Sequence, residues 1–324
     1  MNLLFDGNYL FHKTFSVFST YYRGEDMSVV LQDKEKRQVL LRKCVIDMCY
    51  AINKFKDVKR VAFTIDSSSW RYELYANYKY SLTKVKDVFY PQFLECLNAF
   101  EELLRKRGII VSRVQGAEGD DLMYVWSLYF GYCLDEELVI ITGDSDIRQM
   151  MTRNVSLFAN NSKNLKMYCV PEREVFWNEY LDTDIEVVPV KPFEILLYKV
   201  IMGDTSDNIP KLKKGFGEKA FHRFIEYITP YNEPKDVDLL TMARWITDRF
   251  GDFVKMPEEE LLGSVLFNLK MTWLNLSVYN ATDYQTKNGR SLLENMLDDV
   301  NEQKTKYSYK GEYTLESFYG MIIK

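Results

Sequence analysis

The chain has 324 residues, 47% hydrophobic and 27% charged, with a net charge of −5, which allows two domains with sizeable cores. No apolar run approaches the ~20 residues of a membrane-spanning helix, so a membrane role is excluded. Five scattered cysteines without CxxC spacing and two isolated histidines, His12 and His222, leave neither a disulfide framework nor a zinc site.

In chain order, MNLLFDG (1–7) predicts a short buried strand ending in a turn, with no secretory leader before it, so a cytoplasmic setting is expected. Residues 37–55 carry apolar positions at helical spacing, and KRVAFTID (59–66) predicts a second strand. Residues 92–107 predict a helix, GIIVSRV (108–114) a third strand, DLMYVWSLYF (121–130) a helix and LVIITGD (138–144) a fourth strand. Strands alternating with helices give βαβ units and a parallel sheet, and strands as apolar as LVIIT suit burial on both faces. VSLFANNSKNLKMYCV (155–170) predicts a hairpin turning at NNSKN, and from about residue 191 the patterns are almost all helical. We therefore expect an α/β fold, with a mostly parallel sheet flanked by helices over residues 1–190. A helical part over 191–324 is expected to pack against it.

The acids are the chemical signal. Asp6, Asp66 and Asp144 end three strands, and ligands of an open parallel sheet bind at the strands' carboxyl ends. GAEGDD (116–121) opens the next helix with Glu118, Asp120 and Asp121; ITGDSD adds Asp146, and GDTSDN (203–208) adds Asp204 and Asp207. Helix capping explains any one of these knots. It does not explain four knots converging, because so many carboxylates cannot stay ionised together without cations between them. Oxygen donors without imidazole or thiolate point to Mg²⁺ or Mn²⁺, and two such ions ~4 Å apart support phosphodiester hydrolysis. Lysines segregate elsewhere, in KYSLTKVK (79–86) and KLKKGFGEK (211–219), which suits phosphate binding despite the negative net charge. Gly215 and Gly217 allow a tight turn that offers N–H groups to a phosphate, and Lys211, Lys213, Lys214 and Lys219 add Coulombic attraction. Such contacts read backbone and shape rather than bases.

FDGNYLFHKTF, the strand-ending TID, SSSWRYELYANYKY, GAEGDD, ITGDSDIRQM and GDTSDNIP…GFGEK occur in this order over roughly residues 1–225. Together they resemble the flap endonuclease/5′-3′ exonuclease superfamily, and most of all the phage-type ribonuclease H. The resemblance implies a structure-specific, metal-dependent 5′ nuclease that removes primers in DNA replication. It implies two Mg²⁺ ions, replaceable by Mn²⁺. Asp6, Asp66, Glu118 and Asp120 match the first site, with Asp121 in its shell; Asp144, Asp146 and Asp207 match the second, with Asp204 nearby. Residues of about 70–95 match a helical arch over a single-stranded 5′ end, in which Lys79 positions the scissile phosphate and Arg71, Lys84 and Lys86 are further DNA contacts. Leu82 stands where the family carries an arginine. About 200–226 match a helix-hairpin-helix that holds duplex DNA and a K⁺ ion, although Lys211 replaces the family's glycine. The implied partners are branched or nicked DNA and RNA/DNA hybrids with a 5′ end, a single-strand-binding protein and a sliding clamp. The protein is implied to act as a monomer in the cytoplasm of a bacterium or a phage-infected host. Two other readings are a catalytically silent DNA-junction binder, disfavoured by the complete set of acids, and a PIN-like ribonuclease, disfavoured by the GDTSDNIP…GFGEK module.

Overall fold

The computed structural model describes residues 1–79, 88–161, 164–235, 237–275 and 290–307. The arch positions Leu82, Lys84 and Lys86 lie outside the described residues. Among those described, seven strands form one sheet: β1 Asn2–Asp6, β2 Arg60–Thr64, β3 Ile110–Ser112, β4 Leu138–Ile141, β5 Val155–Asn161, β6 Asn164–Cys169 and β7 Ile185–Pro189. Their order is β3-β2-β1-β4-β5-β6-β7. Neighbours run parallel except β5 and β6, which are antiparallel.

The expected parallel strands and the hairpin are present. β7 and the helix Gly7–Tyr21 are additions. β7 is an edge strand that buries only Ile185 and ends on a proline, so it carries a weak apolar signal. The helix Gly7–Tyr21 starts directly on the end of β1 because the Asp6 carboxylate caps the Tyr9 N–H. The helix expected over 121–130 is regular over Gly119–Ser127 and then widens into π-type turns over Leu128–Cys133.

Alternation along the strands splits the core into two layers. Leu3, Phe5, Val61, Phe63, Val111, Val139 and Ile141 pack on one face, against the helices Gly7–Tyr21, Lys34–Ile52 and Tyr90–Lys106. Leu4, Ala62, Ile110, Leu138 and Ile140 pack on the other, against Gly119–Ser127, Pro192–Met202, Glu218–Ile228, Leu239–Val254, Glu258–Thr272 and Leu292–Lys306. Each fully buried Leu, Ile, Val or Phe contributes about 1.5–3 kcal/mol of transfer free energy. The helices after residue 191 thus supply most of one outer layer of the α/β/α sandwich. No helix among the described residues is long and apolar enough to cross a membrane.

Candidate active site at the carboxyl edge of the sheet

From β1 the chain moves outward to β2 and β3, then returns to place β4 on the other side of β1. The carboxyl ends of β1 and β4 therefore flank a topological switch point, where open α/β sheets bind ligands. Asp6 ends β1, Asp66 lies two residues beyond β2, and Asp144 and Asp146 follow β4.

Asp6 accepts from the Tyr9 N–H at 2.8 Å and from the Thr142 hydroxyl at 2.8 Å. Burial, with the nearby charges of Asp66 and Asp144, pushes its pKa up to about 7. Asp66 accepts from the Gly119 N–H at 2.6 Å, and its own N–H donates to the Asn8 side-chain oxygen at 2.8 Å. A Cβ on Gly119 would stand 2.9 Å from that Asp66 oxygen, so glycine permits the contact. Burial raises the Asp66 pKa. Asp120 is raised well above the ordinary carboxylate range by burial and by the charges of Asp144, Asp6 and Asp66.

Asp144 accepts from the Asp146 N–H at 2.8 Å. Asp146 is pushed up to about 6 by burial and by Asp144, even though the Lys199 ammonium lies 2.5 Å away. The same ammonium is 2.6 Å from Asp204. Burial opposes charge on Asp204, but the bonds from Lys199 and Ser206 hold its pKa below the usual value. Burial raises Asp207. Gly203, Asp204 and Asp207 lie in a loop closed by paired hydrogen bonds between Asp204 and Ile209, of 3.0 and 2.7 Å. Mutual raising of carboxylate pKa values is the electrostatic sign of acids sharing a site. Among the described residues, no three acidic, histidine or cysteine side chains are gathered tightly enough to hold a metal ion together.

Glu118 differs from the other acids. Burial would raise its pKa, but the charges of Arg71 and Lys79 bring it down to about 2. Its Oε2 lies 2.6 Å from the Arg71 guanidinium and its Oε1 2.5 Å from the Lys79 ammonium, and the Tyr78 hydroxyl donates to it at 3.0 Å. Lys79 sits on left-handed backbone, φ 49°, and its N–H donates to the Asp207 carbonyl at 3.3 Å. A strained non-glycine residue beside the acids is a common mark of a functional position.

Two of the expected residues turn inward. Arg71, expected to touch DNA, is only 2% exposed and is fully engaged with acids inside the protein. Asp121, expected in a metal shell, is 0% exposed and accepts from Trp70, Arg71 and the Glu118 N–H. Both of its oxygens accept hydrogen bonds, and it orders the helix start beside Glu118. Lys199 was not anticipated from the sequence. Its signal is a lone lysine in the apolar run ILLYKVIM, just before the GDTSDN acids. Thr142 and Asn8, which orient Asp6 and the Asp66 loop, gave no signal of their own.

The expected duplex-binding lysines lie on the connection between the helices Pro192–Met202 and Glu218–Ile228. Lys211, Lys214 and Lys219 are exposed, whereas Lys213 donates to the Val254 carbonyl at 2.9 Å. Gly215 is left-handed at φ 78°, and Gly217 caps the second helix, leaving its N-terminus open.

Residues 1–178 match the family described as "5′-3′ exonuclease, N-terminal resolvase-like domain". The chain belongs to the 5′-3′ exonuclease family. It is therefore a 5′ nuclease, as the order of its motifs implies. The 5′-3′ exonuclease of Mycoplasmopsis pulmonis is 24% identical over 317 residues, covering 98% of this chain and 93% of that protein. The 5′-3′ exonuclease of Buchnera aphidicola is 28% identical over 166 residues, so this nuclease spans about half (51%) of that relative's length. The bacteriophage T5 flap endonuclease, solved with DNA and metal ions, shares the fold with a TM-score of 0.56 and 18% identity, over 94% of this chain and 100% of that one.

Proposed function

We propose that this nuclease is structure-specific and metal-dependent, cutting branched or nicked DNA and RNA/DNA hybrids near a 5′ end to remove primers during replication. The observation that carries the proposal is the set of half-buried acids on one sheet edge, whose pKa values desolvation and neighbouring charge raise. Asp6, Asp66, Asp120 and Asp146 sit at the switch point of a 5′-3′ exonuclease-family fold.

The donor set fits hard divalent cations. It consists of oxygen ligands alone, and burial together with mutual repulsion raises the pKa of Asp6, Asp66, Asp120 and Asp146, a cost that a bound cation would relieve. With the carboxylates drawn closer than they stand here, Asp6, Asp66, Glu118 and Asp120 would hold one Mg²⁺ or Mn²⁺ ion, and Asp144, Asp146, Asp204 and Asp207 a second. Such ions supply a nucleophilic water near neutral pH and Lewis-acid stabilisation of the leaving oxygen. The chain's own groups do the rest. Lys199 bridges Asp146 and Asp204 and would have to give way for those carboxylates to hold an ion. Lys79, freed from Glu118, carries a positive charge over the same edge and orients the scissile phosphate. Lys211, Lys214, Lys219 and the open helix start at Gly217 track the duplex backbone, with K⁺ held in that hairpin. We further propose monomeric action in the cytoplasm, with a single-strand-binding protein and a sliding clamp as partners.

A panel of 5′-flapped, nicked and RNA-primed duplexes, labelled at either end, tests the substrate class. Fragments released from the 5′ end, with cuts clustered at the single-strand/duplex junction, support the proposal. Cleavage from 3′ ends, or equal cutting along plain single strands, contradicts it.

A further inference from the structure

We infer that Arg71 is a positioning residue, which fixes one oxygen of Glu118 through a buried pair with Asp121 so that the other oxygen faces the acid edge. The inference rests on the proposed metal-dependent chemistry of that edge. The Arg71 guanidinium meets Glu118 Oε2 at 2.6 Å and grips Asp121 with both terminal nitrogens, at 3.2 Å to Oδ2 and 2.9 Å to Oδ1. Its Nε donates to the Met271 carbonyl at 3.2 Å, and the guanidinium lies 4.6 Å from the centre of the Trp70 ring. Trp70 in turn donates to Asp121 Oδ2 at 3.0 Å.

This fork uses the planar geometry that suits arginine to carboxylates and that lysine cannot reproduce. It joins three distant pieces of chain: the short helix Arg71–Leu74, the helix start at Glu118–Asp121, and the end of the helix Glu258–Thr272. Glu118 is thereby divided. Oε2 is anchored inside the protein by Arg71 at 2.6 Å and Tyr78 at 3.0 Å, whereas Oε1 meets Lys79 at 2.5 Å and, at a longer 3.3 Å, Tyr78. A guanidinium so enclosed is turned away from solvent, and Asp121 spends both oxygens on holding Arg71, Trp70 and the helix start.

The test compares wild type with Arg71→Lys and Asp121→Asn. Three quantities are read: affinity for 5′-flapped DNA in EDTA, Mn²⁺ binding to the DNA-free protein by calorimetry, and the single-turnover rate at saturating DNA as Mg²⁺ is varied. Both variants should bind DNA within about twofold of wild type, retain the wild-type number of Mn²⁺ sites at weaker affinity, and cleave about 10–100-fold more slowly. The half-saturating Mg²⁺ concentration should move upward, and the double variant should lose less than the two single effects combined. Weakened DNA binding with an unchanged rate at saturation would make Arg71 a DNA contact and overturn the inference. Loss of one Mn²⁺ site in Asp121→Asn alone would overturn it too, by making Asp121 a ligand. Wild-type metal affinity and rate in both variants would do the same. If the lysine variant does not fold, Asp121→Asn decides alone, since it keeps the arginine. Absence of any cleavage by wild type would instead remove the metal-nuclease reading, while the Mn²⁺ and DNA titrations still report on Arg71.

Discussion

Asp6 receives hydrogen bonds from Tyr9 and Thr142, and its response to pH follows from its burial. A carboxyl that titrates at about 7 in the folded protein, against an ordinary 3.8, binds its proton more tightly folded than unfolded. The stability it contributes is present at low pH and is lost as the pH rises through that window. Asp146, at about 6, acts in the same sense. Glu118, at about 2, titrates below the window and does not offset them. In EDTA the melting temperature should therefore fall between pH 5 and pH 8, and Mg²⁺ should restore most of the loss at pH 8. Calorimetric scans showing a rising metal-free melting temperature would contradict this. Lys199 supplies a second prediction. Replacing it with methionine strands Asp146 and Asp204 without their shared cation, at a cost of about 3 kcal/mol in the metal-free protein. Denaturant titration should show that loss, and millimolar Mg²⁺ should shrink it.

At the scale of elements, the loop between the helices Pro192–Met202 and Glu218–Ile228 depends on Gly203. Its φ is 67°, and a Cβ there would stand 2.4 Å from the Ile209 carbonyl oxygen and 2.7 Å from Pro210. Gly203→Ala should cost about 1–3 kcal/mol and also slow cleavage, because Asp204 and Asp207 shift with the loop. A variant with lowered stability and undiminished rate would separate the loop from the site. The sequence showed these elements unevenly. Strands buried on both faces, such as LVII, announce themselves by continuous apolarity, and the acids at their ends follow from the sheet's polarity. β7 was hidden because an edge strand buries little, and the helix Gly7–Tyr21 because its start lies in a capping bond. The inward turn of Arg71 and Asp121 depends on Trp70 and Met271, a contact spanning 200 residues that no local pattern encodes.

At the scale of the whole molecule, the sheet and the late helices share one core. Leu4 and Trp126 belong to the same apolar cluster as Leu197, Phe250 and Met296. A chain ending at residue 190 would expose one face of the sheet, and we expect it to lack cooperative unfolding and to bind apolar dyes. A sharp melting transition in that fragment would show that the first 190 residues fold alone. The shared core also explains how acids far apart in sequence are held on one edge, Asp6 near Asp144 and Asp146 near Asp204. The most direct test of a metal nuclease at that edge is cleavage of a 5′-flapped duplex by wild type and by Asp146→Asn, each with Mg²⁺ and with EDTA. Junction cuts by wild type in Mg²⁺ only, with the variant binding DNA but leaving it intact, is the expected result. Full cleavage by Asp146→Asn, or cleavage by wild type in EDTA, would contradict it.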